Sequence, residues 1–397
     1  MYLFSENIYT PDGFQEGYLV IKNGRMEGIV SKPDPDDTVI SYGDKVIMPG
    51  FIDIHIHGWA SGSFAYEGTE ESLENMSREL VKEGVTSYLA TTTADSVDNL
   101  VFRLNNSRKY IKRWTPEMGA EVIGIHMEGP FINKKYKGMQ KEENFLNPSI
   151  EILDRFINTA GKGYIKLITI APELPGAKEF IQYSNKLGIQ ISVGHSAAEF
   201  EDIKNLKEYG IGGFTHMYSA MSGFHHRRLG CVGAALYFDD MYVEFAKQTG
   251  LTVAPEAFKI AYKIKGPQKI ILVTDCVGLA CVQEPRYHYI RKCTFVPIEG
   301  GIKLVYDDGR EDIIHKNEYE KLRNLELSFL GSVKNVVKNV NASIADIVTM
   351  ACENPAKYIG VYDRKGSIEK GKDADLLIID EKWNIVDVYI NGRKQKL

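Results

Sequence analysis

The sequence predicts an α/β protein, a (β/α)8 TIM-type barrel with a small discontinuous β-sandwich domain built from both termini. Three observations carry this expectation. Short β-branched runs alternate with amphipathic helical stretches from about residue 51 to about residue 350. Eight such runs can be counted: FIDIHIH, VTSYLA, EVIGIH, YIKLITI, IQISVGH, GGFTH, MYVEFA and KIILVTD. Both ends of the chain read instead as β-hairpins. The barrel is expected over residues 51–356, and the small domain in two pieces, 1–50 and 357–397.

The elements follow from local pattern. Near the N-terminus, YLVIKNGRMEGIV places two strands around Asn23-Gly24, a turn pair suited to positive φ at both positions. The stretch TEESLENMSRELVKEG sets Leu73, Met76, Leu80 and Val81 on one helical face. It has acidic residues in its first turn and Gly84 at its end. The tail, DADLLIIDEKWNIVDVYINGRKQKL, repeats the hairpin pattern with its own Asn391-Gly392.

Composition narrows the function classes. At 397 residues, 44% apolar and 25% charged, the chain is ordinary for a soluble globular protein. A net charge of −5 offers no basic field for nucleic acid or an anionic membrane, and no apolar run is long enough to span one. Five scattered cysteines form no CxxC pair, which suits reduced thiols and a cytoplasmic location.

The chemistry-bearing residues cluster by position. In PGFIDIHIHG, His55 and His57 stand two residues apart on one strand. Side chains at that spacing project to the same face, roughly 6.6 Å apart along the chain, and can converge on one metal. Other candidates end other strands: His126 and Glu128 the third, His195 the fifth, His216 the sixth and Asp275 the eighth. All such ends face one mouth in a barrel, where active sites of this architecture lie. Taken singly, each also has a structural reading, because buried histidines bond backbone carbonyls and an Asp after a strand caps helices. Together they read as metal ligands, His126 the least secure of them, because Glu128 two residues on could reach the ion while His126 stands behind it. Imidazole and carboxylate donors suit zinc, iron or manganese. The donor count exceeds one tetrahedral zinc, so one or two divalent ions per subunit are expected, bridged by Glu128 if two. A metal-activated water makes the expected reaction class a metal-assisted hydrolysis.

These stretches resemble the amidohydrolase superfamily, and within it the N-acetylglucosamine-6-phosphate deacetylases. The resemblance rests on PGFIDIHIHG, HMEGPFIN, GHS, THMYSAM followed by HHR, and LVTDC, with weaker echoes in LGS, ENPAKYIG and GSIEKGKDADLLIID. It implies removal of acetate from a phosphorylated N-acetyl amino sugar. It also implies metals on Glu128, His195 and His216, and on His55 and His57 where that pair is retained, with Asp275 as base and then acid and also in reach of a metal. Implied substrate contacts are Gln140, Ser219, Ala220, His226, Arg227 and Thr252, with Arg227 reaching the phosphate of a neighbouring subunit in a homodimer. Four departures bear on substrate identity. Ser219 replaces an asparagine, and Thr252, in the run Gln248–Val253, replaces a histidine. The loop after His57 has Ser63 after Gly62 where an aspartate is usual. The segment CVQEPRYHYIRKCTFVPIEGG matches the pattern poorly.

Two alternatives stand beside this reading. A cyclic-amide hydrolase of the same superfamily would carry a carboxylated lysine at the end of the fourth strand, whereas Lys166 stands near its start. A non-catalytic scaffold on the same fold would be expected to lose the metal ligands, and they are present. His288 and His315 carry no such signal and are expected at the surface.

Overall fold

A computed structural model describes residues 1–246, 252–289 and 291–397. Eight parallel strands form the barrel sheet: β1 (Phe51–Ile56), β2 (Val85–Thr92), β3 (Glu121–Glu128), β4 (Ile165–Ile170), β5 (Gln190–Val193), β6 (Ile211–Phe214), β7 (Tyr242–Ala246) and β8 (Ile270–Val273). They are hydrogen-bonded in strict chain order from β1 to β8. The sheet nearly closes: beyond the ladder, Asp275 N–H donates to the His55 carbonyl and His57 N–H to the Cys276 carbonyl, each at 2.8 Å. Every residue of β1, β2 and β8 is buried. That is why these strands read as continuous apolar runs rather than alternating ones.

Most helices bury one face, while Gly230–Tyr237 is covered all round over its first six residues. The helix Glu70–Leu80 starts at Thr69, whose hydroxyl accepts from Ser72 N–H, and buries Leu73, Met76 and Leu80. It continues as a tighter turn, Val81–Glu83, and stops at Gly84, whose φ of 79° is costly for other residues. A separate apolar cluster joins Ile52, Ile54, Leu89 and Ile271 to Ala356, Tyr358 and Ile359. Tyr358 donates to the Ile191 carbonyl and lies against Gly212, so it plugs the barrel end opposite the strand C-termini.

Both chain ends meet in one further sheet. The strands Tyr2–Thr10, Gly13–Lys22, Arg25–Val30, Val39–Ser41 and Val46–Pro49 join Leu376–Ile379, Ile385–Ile390 and Arg393–Lys394. The two halves meet where Val46–Pro49 runs antiparallel to Leu376–Ile379. A register shift between Ser5 and Ile8 lets the first strand pair Val39–Ser41 at one end and Val46–Ile47 at the other. Leu3, Ile8, Leu19, Ile47, Leu376 and Tyr389 fill one core inside it. Both Asn-Gly turns have positive φ at both residues, as their sequences require.

One element departs from expectation. The poorly matching segment, residues 281–301, supplies the first two strands of a four-stranded antiparallel sheet, Arg286–His288, Cys293–Ile298, Gly301–Tyr306 and Glu311–His315, inserted after β8. Among the described residues, no helix is long and apolar enough to cross a membrane.

Candidate metal centre

The C-terminal strand ends bring five donors into one space. His55 and His57 leave β1 with their Nε2 atoms 3.3 Å apart. Glu128, the last residue of β3, sits between two pairs of rings. Its Oε1 lies 3.1 Å from His195 Nε2, 2.9 Å from His216 Nε2 and 3.5 Å from His55 Nε2. Its Oε2 lies 3.3 Å from His57 Nε2. Asp275 Oδ1 approaches His55 and His57 Nε2 at 3.5 and 3.4 Å. The donors thus form two triads, His55–His57–Glu128 and Glu128–His195–His216, sharing one carboxylate.

The donor set fits a divalent cation. Two ligands about 2.0–2.1 Å from one tetrahedral ion stand roughly 3.3 Å apart. The ring nitrogens match that edge, at 3.3 Å for His55–His57 and 3.1 Å for His195–His216. The opposite ring nitrogens are anchored in three of the four: His55 Nδ1 to Glu244 Oε2 at 3.1 Å, His57 Nδ1 to the Thr91 carbonyl at 3.3 Å, and His195 Nδ1 to the Tyr136 carbonyl at 2.8 Å. Such bonds hold these three rings with Nε2 turned into the cluster, where it could ligate an ion.

Electrostatics point the same way. Burial works against charge on His55, His57 and His216, yet the carboxylates of Glu128 and Asp275 outweigh it and raise all three imidazoles. Burial likewise opposes ionisation of Glu128, but His195, His216 and His55 hold its carboxyl well below the usual range. The cluster therefore draws positive charge. His126 differs. Burial and the neighbouring His55 push it well down, and its nitrogens are engaged by the Ile54 carbonyl and Thr169 Oγ1. It is a neutral ring packed edge-on to His55 at 4.6 Å.

The backbone is bent to aim these groups. His195, His216 and Asp275 have φ of 48°, 33° and 51°, unusual for non-glycine residues and concentrated here at three strand ends.

The remaining candidates divide. Gln140 joins the cluster, donating from Nε2 to Glu128 Oε2 at 2.8 Å while its Oε1 accepts from Ala94 N–H. Ser219 and Ala220 are half-buried in the loop after β6, where Ser219 N–H bonds the His216 carbonyl and the Ala220 carbonyl accepts from Ser196 N–H. His226 and Arg227 are exposed further along that loop, and Arg227 N–H donates to His225 Nδ1. Thr252 lies just past β7, its hydroxyl donating to the Ala246 carbonyl at 2.9 Å. Of the run Gln248–Val253, residues 248–251 lie outside the described residues. Ser63 Oγ donates to the Val277 carbonyl and so ties the first loop to the last. His315 is exposed and His288 half-buried. Lys166 lies at the opposite end of the barrel, at the start of β4. Beyond the end of β4, Glu173 is occupied by Asn133, Ser196 and the Ala197 N–H.

Sequence reasoning missed Glu244. It is 1% exposed in the middle of β7, and its Oε2 accepts from His55 Nδ1 and His216 N–H. The available signal was a lone acid in the apolar run YVEFA. Asp53 was missed too. Burial raises it to about 7, and Thr274 Oγ1 and His55 N–H donate to it.

A barrel mouth carrying paired imidazoles and a shared carboxylate is the site architecture of metal-dependent hydrolases. The model of the amidohydrolase family matches residues 46–394, and the chain belongs to that family. It is 32% identical over 383 residues to the N-acetylglucosamine-6-phosphate deacetylase of Bacillus subtilis (strain 168), a match covering 95% of this chain and 92% of that one. It is 27% identical to the N-acetylgalactosamine-6-phosphate deacetylase of Escherichia coli O157:H7, over 96% of each chain. Among solved structures, N-acetylglucosamine-6-phosphate deacetylase from Pasteurella multocida superposes with a TM-score of 0.83 at 26% identity, covering 100% of both chains.

Proposed function

We propose that the protein hydrolyses the acetamide of N-acetylglucosamine 6-phosphate, releasing acetate and glucosamine 6-phosphate. The observation that carries the reaction class is the shared-carboxylate cluster with Asp275 at its rim. The similarity to N-acetyl amino-sugar-phosphate deacetylases over nearly the whole chain supports the substrate class.

His55, His57 and Glu128 would hold one ion, and Glu128, His195 and His216 the other, with zinc the best match and iron or manganese the alternatives. Bound there, the metal supplies Lewis-acid chemistry, polarising the amide carbonyl and acidifying water. The chain's own groups do the rest. Asp275, 27% exposed at the mouth while the ligands are buried, accepts the proton of the attacking water and returns it to the departing amine nitrogen. Amine expulsion needs that proton, so one carboxylate serves both halves of the reaction. Gln140 braces Glu128 and walls the site beside it.

Recognition falls to the loops. Ser219 and Ala220 lie along the rim, and Arg227, exposed with His226, extends to the phosphate bound by the partner subunit of a homodimer. A guanidinium fork suits phosphate oxygens. The five buried cysteines form no disulfide, which supports a reducing cytoplasmic setting.

A panel of N-acetylglucosamine, N-acetylgalactosamine and N-acetylmannosamine, each with and without 6-phosphate, tests the reading. The expected ranking puts N-acetylglucosamine 6-phosphate first in kcat/KM. The similarity to the N-acetylgalactosamine-6-phosphate deacetylase makes the galacto epimer the second reading, and a higher kcat/KM on it would select that.

A further inference from the structure

We propose that Glu326 is a positioning residue for the reaction, holding the loop that carries Asp275 in the backbone conformation that aims its carboxylate at the histidines. The inference rests on the proposed role of Asp275. That residue follows β8 at a φ of 51°, a left-handed backbone that costs any residue with a side chain, aspartate less than most, and that its surroundings hold in place. The enforcement comes from the residues just after it. Glu326 Oε1 accepts from Val277 N–H at 2.8 Å, and its Oε2 accepts from Gly278 N–H at 2.9 Å and Leu279 N–H at 3.1 Å. Three consecutive N–H groups thus converge on one carboxylate, making an anion-binding concavity filled by the chain itself with charge-assisted bonds. Gly278 makes the concavity possible: its φ is 69°, and a Cβ there would stand 2.7 Å from the Gly62 carbonyl oxygen.

The same loop is pinned from its other side. Ser63 Oγ donates to the Val277 carbonyl at 2.8 Å, and the N–H of His57 donates to the Cys276 carbonyl at 2.8 Å. Cys276 Sγ reaches the Leu327 carbonyl at 3.3 Å, docking the loop to the residue next to Glu326. The histidine-bearing loop fixes one face of residues 275–279, and the Glu326 segment fixes the other. Removing the carboxylate frees three N–H groups and lets the strained backbone at Asp275 relax. A shift of about 1 Å in a reacting group costs roughly 100-fold in rate.

The test is a double-mutant cycle on the metal-loaded, full-length enzyme with N-acetylglucosamine 6-phosphate. Glu326→Ala is expected to lower kcat by about 10- to 100-fold, with KM and metal content nearly unchanged. Glu326→Gln, which keeps one accepting oxygen, should lose less. In an Asp275→Asn background, Glu326→Ala should cost nothing further, because it acts through the group already removed. An alanine variant that fails to fold passes the same cycle to the glutamine variant. Wild-type kcat in both Glu326 variants, or a full additional loss on top of Asp275→Asn, overturns the inference. Wild-type kcat in Asp275→Asn alone instead sinks the role of Asp275, and this inference with it.

Discussion

A β-strand carries alternate residues on one face, and at His55 and His57 that face opens onto Glu128. Replacing both with alanine is expected to lower bound metal by one ion per chain, read by elemental analysis of the purified protein. Unchanged stoichiometry would return the pair to a structural role. Asp275→Asn keeps the shape of the side chain but not its proton affinity. We expect kcat to fall at least about 100-fold with the fold preserved. Metal content has to be followed alongside, since the carboxylate lies 3.4 Å from His57 Nε2. The convergence of these side chains was legible because every strand end of a barrel faces the same mouth. Glu244 was not. Alternation assigns a strand residue to a face but says nothing of which neighbour it meets, and its partners His55 and His216 come from β1 and the end of β6.

At the scale of elements, the barrel was readable because its strands are buried on both faces, while the sheet inserted after β8 was not. Its strands are only partly buried, so the apolar alternation that marks a strand is diluted; in Cys293–Ile298 only Cys293 and Phe295 are fully covered. Its hairpin signal, Glu299-Gly300, was present but isolated. The insertion leans over the mouth: Arg286 meets the Tyr66 hydroxyl after β1, and Glu284 pairs with Lys141, next to Gln140, at 3.0 Å. Loops of this kind set substrate preference, and two residues in the mouth loops bear the departures noted in the sequence. Ser219 and Thr252 lack the amide and imidazole expected at their positions. A missing charge-assisted hydrogen bond costs about 1.5–3 kcal/mol, so the preference for the 6-phosphate should be smaller than in a site that keeps both groups. Arg227→Ala should raise KM for the phosphorylated sugar far more than for the plain one, and Thr252→His should enlarge the preference. If neither variant changes a preference that is already strong, the phosphate contact lies elsewhere, with Arg286 the next residue to replace.

Across the whole molecule, the barrel floor and the terminal sheet are joined by a buried charge cluster. Lys365, 1% exposed in its side chain, contacts Glu121 at 2.8 Å and Asp373 at 3.2 Å and also Asp375, while Arg364 pairs with Glu121 and Asp373. Lys365→Met leaves these carboxylates short of a cation, and a loss of about 3–5 kcal/mol in unfolding free energy is expected. A change below about 1 kcal/mol would show the cluster to be idle. Its pH dependence has a definite sign. Burial opposes ionisation of Glu121, but Lys365 and Arg364 hold its carboxyl down to about 2. That stability is present above the unfolded value of about 4.3 and is lost as pH falls through about 2. Asp375 is raised by burial and so offsets part of this loss. Tm should therefore fall more steeply between about pH 5 and pH 2 in the native chain than in Glu121→Gln.

Whether the histidine–glutamate cluster with Asp275 removes acetate from a phosphorylated amino sugar with the help of bound metal is tested most directly by one measurement. Acetate release from N-acetylglucosamine 6-phosphate is followed with the protein as purified, after exhaustive chelation, and after zinc is restored. The expected result is release by the purified protein, its loss on chelation, and its return with the metal. Release that survives complete removal of metal, or none from the fully metal-loaded protein, contradicts it.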